Sequence, residues 1–473
     1  MNFLISNKLI TLKEQVDVLK IKFKELTLMS YPDSNIEIVI NYMSDIANKL
    51  DERLSYYNEN GINNWELKLI SKVIQAFYNM VGYIAKCDVK NHPREIMIPI
   101  RELLNNTEKD HIFITEPQWE LNYSVGLLMN KNFKEALKMC GIVLEEDINI
   151  IKLAFPKLHQ DNILGGAIMA HELGHYFDLH YSLELSEKAI VQIINSIDLD
   201  KYISNIYSHM KEYTQDLEEM KRILKSNIPN IILRSWIQET VADILGIAFY
   251  GLASFLASEN LSIYYSDINE SQSQFLQQFS ITHPRDSFRN YIRIATLAKL
   301  GYLEKVDGKI LSKLEEYQKQ WEESTTAPFR AISYQVSDVI SIIVNNRYLL
   351  NLENDIKCNL DWIIDFVLDE IKSVSGELIY ESDEFVKDIH SLIEKITMVI
   401  PPNEIDRSPV NSVSIINSGW ISYILNSEDI KNTMGGYNGA SKEIDVKNLI
   451  NSLLKKATLT SNIHRRWINA TSQ

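Results

Sequence analysis

Two histidines and an acid stand close together in His171-Glu172-Leu173-Gly174-His175. An α-helix turns about 100° per residue, so His175 returns to about 40° from His171 one turn on, and Glu172 sits about 100° away. Two imidazoles and a carboxylate therefore share one side of a helix. Imidazole nitrogens suit zinc, and two of them leave room for one more protein ligand and a water. Glu172 is too near in sequence to chelate comfortably beside both rings, which leaves it to take a proton from water. Zinc lowers the pKa of a water it holds towards neutrality, so a carboxylate suffices as general base. One Zn²⁺ per chain is the expected cofactor.

The flanking residues suit a helix. Asp161-Asn162 can cap its start, and Ile163, Leu164, Ile168 and Met169 give it apolar surface. Gly165 and Gly166 weaken the first turn but permit close packing. A third ligand must come from elsewhere, and the best candidate is Glu239, within Ser235-Trp236-Ile237-Gln238-Glu239-Thr240-Val241-Ala242-Asp243. Trp236, Ile237, Val241, Ile244 and Leu245 make this a buried amphipathic helix. Glu239 and Asp243 are four apart and project from one face. A carboxylate among such neighbours is costly unless a metal or cation meets it. Asp243 is then placed to accept the ring N–H of a ligating histidine, fixing its tautomer.

Three rivals compete. His180 would extend the motif, but in a continuing helix it lies about 180° from His171 and faces away. Asp178 lies only about 20° from His171 on the wheel, nearly two turns further on, so it could reach the ion only through a bend. His209 sits in a polar stretch that reads as a surface helix.

HELGH followed by ETVAD resembles the gluzincin peptidases, whose second motif is a Glu with an Asp four residues on. Thr282-His283-Pro284-Arg285-Asp286-Ser287-Phe288-Arg289 is similar to the THP…R segment of the heat-shock membrane metalloproteases and prenyl-protein endopeptidases. The resemblance spans residues near 148–295 and rests on short motifs. It implies a zincin-like core, with His171, His175 and Glu239 as ligands, Glu172 as base and Asp243 behind the ligands. It further implies that His283 or Arg289 stabilises the oxyanion of a tetrahedral intermediate, with Arg285 a third candidate, as acyl transfer to water requires. The chain departs from those relatives in lacking their membrane spans and in the long insert between its second and third ligands.

At 473 residues, with 45% hydrophobic and 23% charged residues, the chain can hold two or three globular domains. A net charge of −15 speaks against nucleic acid as the main partner. Cys87, Cys140 and Cys358 are widely spaced and odd in number, so no disulfide framework or CxxC zinc site follows, and a reducing compartment fits. No apolar run reaches ~18 residues, so no transmembrane helix is expected. Residues 1–6 are too short and interrupted for a signal peptide. A cytoplasmic protein is the expectation.

The chain should be predominantly α with a small β-sheet (α+β). Residues 1–94 form a helical N-terminal region, 95–301 the zincin-like core with a helical insert at 181–232, and 302–473 a helical C-terminal region. Helical stripes recur through Val16, Leu19 and Phe23; through Ile36 to Leu50; and from Trp65 to Phe77. Short strands are expected at Ile96–Ile100, at Ile112–Thr115 up to Pro117, and at Asn149–Phe155, ended by Pro156. The last stands just before the metal helix, where gluzincin-like folds place the edge that pairs with an extended peptide, so strand addition of substrate is one expectation and a plain sheet strand the other. Ser324 to Pro328 reads as a linker, Val336 to Val344 as an apolar part of the helical C-terminal region, and Gly435 to Gly439 as a loop.

Three functions stand against one another. The leading one is a zinc metallopeptidase acting on a peptide or protein, with the helical flanks supporting the core, restricting access or binding a protein partner. A zinc-stabilised interaction protein without catalysis is the second, although a structural site needs no Glu172 and favours a fourth protein ligand. Hydrolysis of a small non-peptide amide is the third.

Overall fold

The computed structural model describes residues 3–31, 35–87, 93–107, 112–144, 148–179, 181, 183–209, 216–269, 274–434 and 442–471, with side chains from 446 in the last stretch. The chain is mostly helical with small sheets. Among the described residues no helix is long and apolar enough to cross a membrane. The chain divides into two compact units: residues 1–97 with 107–161, and residues 98–106 with 162–473.

In the first unit, helices α1 (Phe3–Leu26), α2 (Asn35–Asn60) and α3 (Asn64–Ala85) bury one stripe each. Val16, Leu19, Phe23, Ile40, Met43, Leu50, Ile70, Ile74 and Phe77 share one core with Phe133 and Leu137. Asn63 caps α3 with a capping box, its side chain accepting from Glu66 N–H and Glu66 accepting from Asn63 N–H. Beside the helices lies a three-stranded sheet of order β1-β3-β2, with β1 Ile112–Gln118, β2 Ser124–Leu127 and β3 Ile150–Pro156. β3 runs parallel to β1 and antiparallel to β2. It is therefore the central strand, and its backbone groups are used on both sides. The expectation that β3 offers a free edge to a peptide is corrected by this pairing; the plain sheet strand is what the fold contains.

Other expectations are corrected in the same way. Ile96–Ile100 is not a strand but part of a helix, Arg94–Leu104, that carries Pro99 inside it. Ile96, Met97, Ile100, Leu103 and Leu104 recur at helical spacing and are buried, and that periodicity outweighs one hydrogen bond lost at proline. Ile340–Val344, expected within a helical region, is a strand between Ile206–Ser208 and Ile332–Gln335. Its run of β-branched residues suits a pleated, buried position. The Ser324–Pro328 linker is stitched into a sheet, where Thr325–Thr326 pairs with Gln274–Gln277. His209 follows the Ile206–Ser208 strand rather than lying in a helix, and it is exposed. The Gly435–Gly439 loop and His180 lie outside the described residues.

The second unit is built on the helix Arg234–Tyr250, which packs against the HExxH helix Met169–Leu179 and against Leu185–Ser196, Leu252–Tyr265 and Asp286–Lys299. From Trp236 to Tyr250 all but Gln238 are buried, so this is the central rod of the unit. It ends at Gly251, whose φ of +56° breaks the helix before Leu252 resumes it. The insert supplies Leu185–Ser196, with a buried apolar face, and Leu217–Ile228, which leads through a π-helical turn into the central helix.

Candidate metal centre

Two glycines set how near the helices carrying His171, His175 and Glu239 come. A Cβ on Gly174 would lie 2.8 Å from Ala242 Cα and 2.9 Å from Ala242 O. A Cβ on Gly246 would lie 3.1 Å from the His171 backbone nitrogen. Only residues without a Cβ let the two backbones approach this closely. Gly174 lies inside the motif itself, so the position between the two histidine turns is also the contact point of the helices.

That approach places His171 and His175 against Glu239. His171 Nε2 lies 3.4 Å from Glu239 Oε2, and His175 Nε2 lies 3.4 Å from Glu239 Oε1. The imidazoles are nearly perpendicular, at 86°, with centroids 4.9 Å apart. Each of the three residues offers one ligand atom within 4.8 Å of the others, and this group can hold a metal ion. The edge of a tetrahedron with ligand bonds of about 2.0–2.1 Å is about 3.3 Å, close to the observed separations.

Asp178, the rival ligand, is buried and used elsewhere, its Oδ1 accepting from Ser186 N–H at the start of Leu185–Ser196.

Behind the ligands, His171 Nδ1 lies 3.0 Å from Asp243 Oδ1. Arg289 donates to both oxygens of Asp243, from Nε at 2.7 Å and from Nη2 at 2.9 Å, and its Nη2 lies 3.3 Å from Glu239 Oε2. Arg293, one turn on, donates to Asp243 Oδ1 at 3.1 Å and to Glu259 Oε1 at 3.1 Å. Trp321 Nε1 closes the chain on Glu259 Oε2 at 2.6 Å. Sequence reasoning missed Arg293 and Glu259. The signal available was weak: Arg289 and Arg293 are four apart on one helix, and Glu259 stands in an otherwise apolar and hydroxyl-rich stretch.

Acidic side chains outnumber basic ones here: Glu172, Glu239, Asp243 and Glu259 lie around two guanidiniums, Arg289 and Arg293. Burial disfavours the His171 imidazolium, but Asp243 and Glu239 outweigh it and lift His171 to about 9. Glu239 is itself held well below the carboxylate range, where burial is overcome by Arg289 and the two rings. Glu172 moves the other way, its pKa raised by burial against the pull of His171 and His175. A raised carboxylate is a better proton acceptor for work near neutrality.

The THP segment is held beside the site. Trp236 Nε1, one turn before Glu239, donates to Ser280 O at 3.1 Å. His283 Nε2 lies 3.5 Å from Glu239 Oε1, and its side chain is 53% exposed. Thr282 Oγ1 lies 2.7 Å from His283 Nδ1 and fixes the ring. Arg285 points to other partners: it binds Glu353 through Nε at 2.9 Å and Nη2 at 2.6 Å, and its guanidinium covers the Phe279 ring.

No family model, curated protein or solved structure matches this chain.

Proposed function

We propose that the chain is a zinc-dependent hydrolase with a zincin-like core, and that its substrate is a peptide. The observation that carries this reading is the meeting of His171, His175 and Glu239 with Glu172 beside them. Three protein ligands and an adjacent base are the composition of a catalytic zinc site, whereas a structural site closes with a fourth protein ligand and has no use for a base. Bound there, zinc supplies Lewis-acid activation of water and of a carbonyl oxygen. Glu172 takes the proton from the attacking water and returns it to the departing amine. Asp243 holds His171 with Nε2 turned towards Glu239. Of the three candidates for oxyanion stabilisation, Arg285 is engaged by Glu353 and Arg289 by Asp243 and Glu239. His283 is the exposed one and can meet a substrate oxygen.

The test is metal analysis of the purified protein beside Glu239→Ala, Asp178→Ala and Glu172→Gln, each assayed on an unstructured protein such as casein. Wild type, Asp178→Ala and Glu172→Gln should each carry about one zinc, and Glu239→Ala should not. Casein cleavage should be lost in Glu172→Gln. Cleavage that persists in Glu172→Gln, or zinc lost only in Asp178→Ala, overturns the reading. Absence of cleavage in wild type with zinc bound would favour the small-amide or interaction-protein alternatives.

A further inference from the structure

The second layer of charge behind the proposed ligands reaches further than one carboxylate. Asp243 is 2% exposed, Arg293 3% and Glu259 not at all. A fully buried carboxylate is costly unless donors meet it, and here both oxygens of Glu259 are met, by Arg293 and by Trp321. Burial pushes the Glu259 pKa up, while the Arg293 and Trp321 donors favour the anion. Four elements contribute one member each. Asp243 comes from the central helix, Glu259 from Leu252–Tyr265, Arg293 from Asp286–Lys299 and Trp321 from Gly308–Glu322.

Arg293 has a choice of partners that decides how Asp243 serves His171. Asp243 Oδ1 receives both His171 Nδ1 and Arg293 Nε, at 3.0 and 3.1 Å. The same oxygen accepts from Arg289 Nη2 at 2.9 Å as well, so it is shared between the ring of a proposed ligand and two guanidiniums. Glu259 pulls that guanidinium the other way through Nη1. If Glu259 lost its charge, Arg293 would settle on Asp243, and the carboxylate would polarise the ring less.

We propose that Glu259 and Arg293 are positioning residues of the metal centre, tuning how strongly Asp243 holds His171 and hence how tightly the ligands hold a divalent ion. This inference rests on the metal reading above. Neither residue touches the ligand atoms; both act through Asp243. Such outer partners typically change metal affinity by about 10- to 100-fold.

The experiment is zinc competition against a chromophoric chelator, run on the full chain for wild type, Glu259→Gln, Arg293→Lys and Trp321→Phe. Histidine side-chain ¹⁵N spectra of the zinc-loaded proteins accompany it, since they report the tautomer and polarisation of His171. Urea unfolding of the metal-free forms separates affinity from folding. Glu259→Gln should weaken zinc binding by about tenfold and shift the His171 Nδ1 signal, and Arg293→Lys, which takes the Nε donor off Asp243 Oδ1, should tighten binding and shift that signal the other way. Trp321→Phe, which leaves Glu259 charged and turns it more fully towards Arg293, should move both readouts the way Arg293→Lys does but by less, and it serves if a buried-charge variant does not fold. Wild-type binding with affinities within twofold and an unmoved His171 signal in all folded variants overturns the positioning role and leaves the metal reading standing. Failure of wild type to bind zinc at all overturns both.

Discussion

Asp243 Oδ1 and His171 Nδ1 lie 3.0 Å apart, joining two helices whose backbones already touch at Gly174 and Gly246. The contact orients one ring nitrogen away from the proposed metal and leaves Nε2 facing Glu239. The same carboxylate anchors Arg289 and Arg293, so one residue organises both the ligand ring and the positive charge behind it.

Asp243→Asn should therefore have two effects. Zinc affinity should fall about 10- to 100-fold, because an amide polarises the ring less than a carboxylate does. Stability should also fall, by up to about 3–5 kcal/mol, because Arg289 and Arg293 lose a buried counter-charge. Chelator competition and urea unfolding read the two separately, and unchanged zinc affinity would argue against the assigned role.

The glycine contact can be tested without touching any charged group. Gly174→Ala sets a methyl 2.8 Å from Ala242 Cα, where only backbone can give way. It should destabilise by about 1–3 kcal/mol and impair metal binding, because the ligand helices are pushed apart. Gly82→Ala is the control: nothing lies within 4 Å of a Cβ there, so the α3 helix should be unchanged or firmer by up to about 1 kcal/mol.

His283→Ala should leave zinc content unchanged, since the triad does not include it. Peptide hydrolysis should nonetheless fall by about 10²- to 10³-fold, the usual loss when an oxyanion donor is removed. A matched fall in bound zinc would instead place His283 among the ligands.

Cys140 gives a pH dependence distant from the metal group. Burial pushes its thiol up from 9.0 to about 11, against a smaller opposing pull from Arg53. The native chain then holds the proton more firmly than the unfolded one, so this contribution is full below pH 9 and declines as pH rises through about 11. Unfolding midpoints across that range should fall less steeply in Cys140→Ala than in wild type. Alkylation of the native protein at pH 8 should modify exposed Cys358 and spare Cys140.

How much of this was legible in the sequence follows from the range of the interactions. The facing of His171 and His175, the offset of Glu172 and the pairing of Glu239 with Asp243 are matters of a single helical turn. The backbone period settles those without reference to the rest of the chain. The same holds for the core stripes of α1, α2 and α3.

The tertiary structure decided what lies between distant segments. Asp178 is seven positions from His171 and Glu239 is far more, yet it is Glu239 that meets the rings, because Gly174 and Gly246 bring their helices into contact while Asp178 caps the next one. Arg289 could be read as an oxyanion donor from its motif; only packing shows it clamped to Asp243. Glu259 and Arg293 carry no spacing signal towards the histidines. Edge and plain strand both stand open for β3 in the sequence, because an apolar run has the same pattern at the rim of a sheet as at its centre, and only the partners on each side tell the two apart. A sequence encodes which face of an element is apolar or charged; which other face it meets is a property of the packed chain.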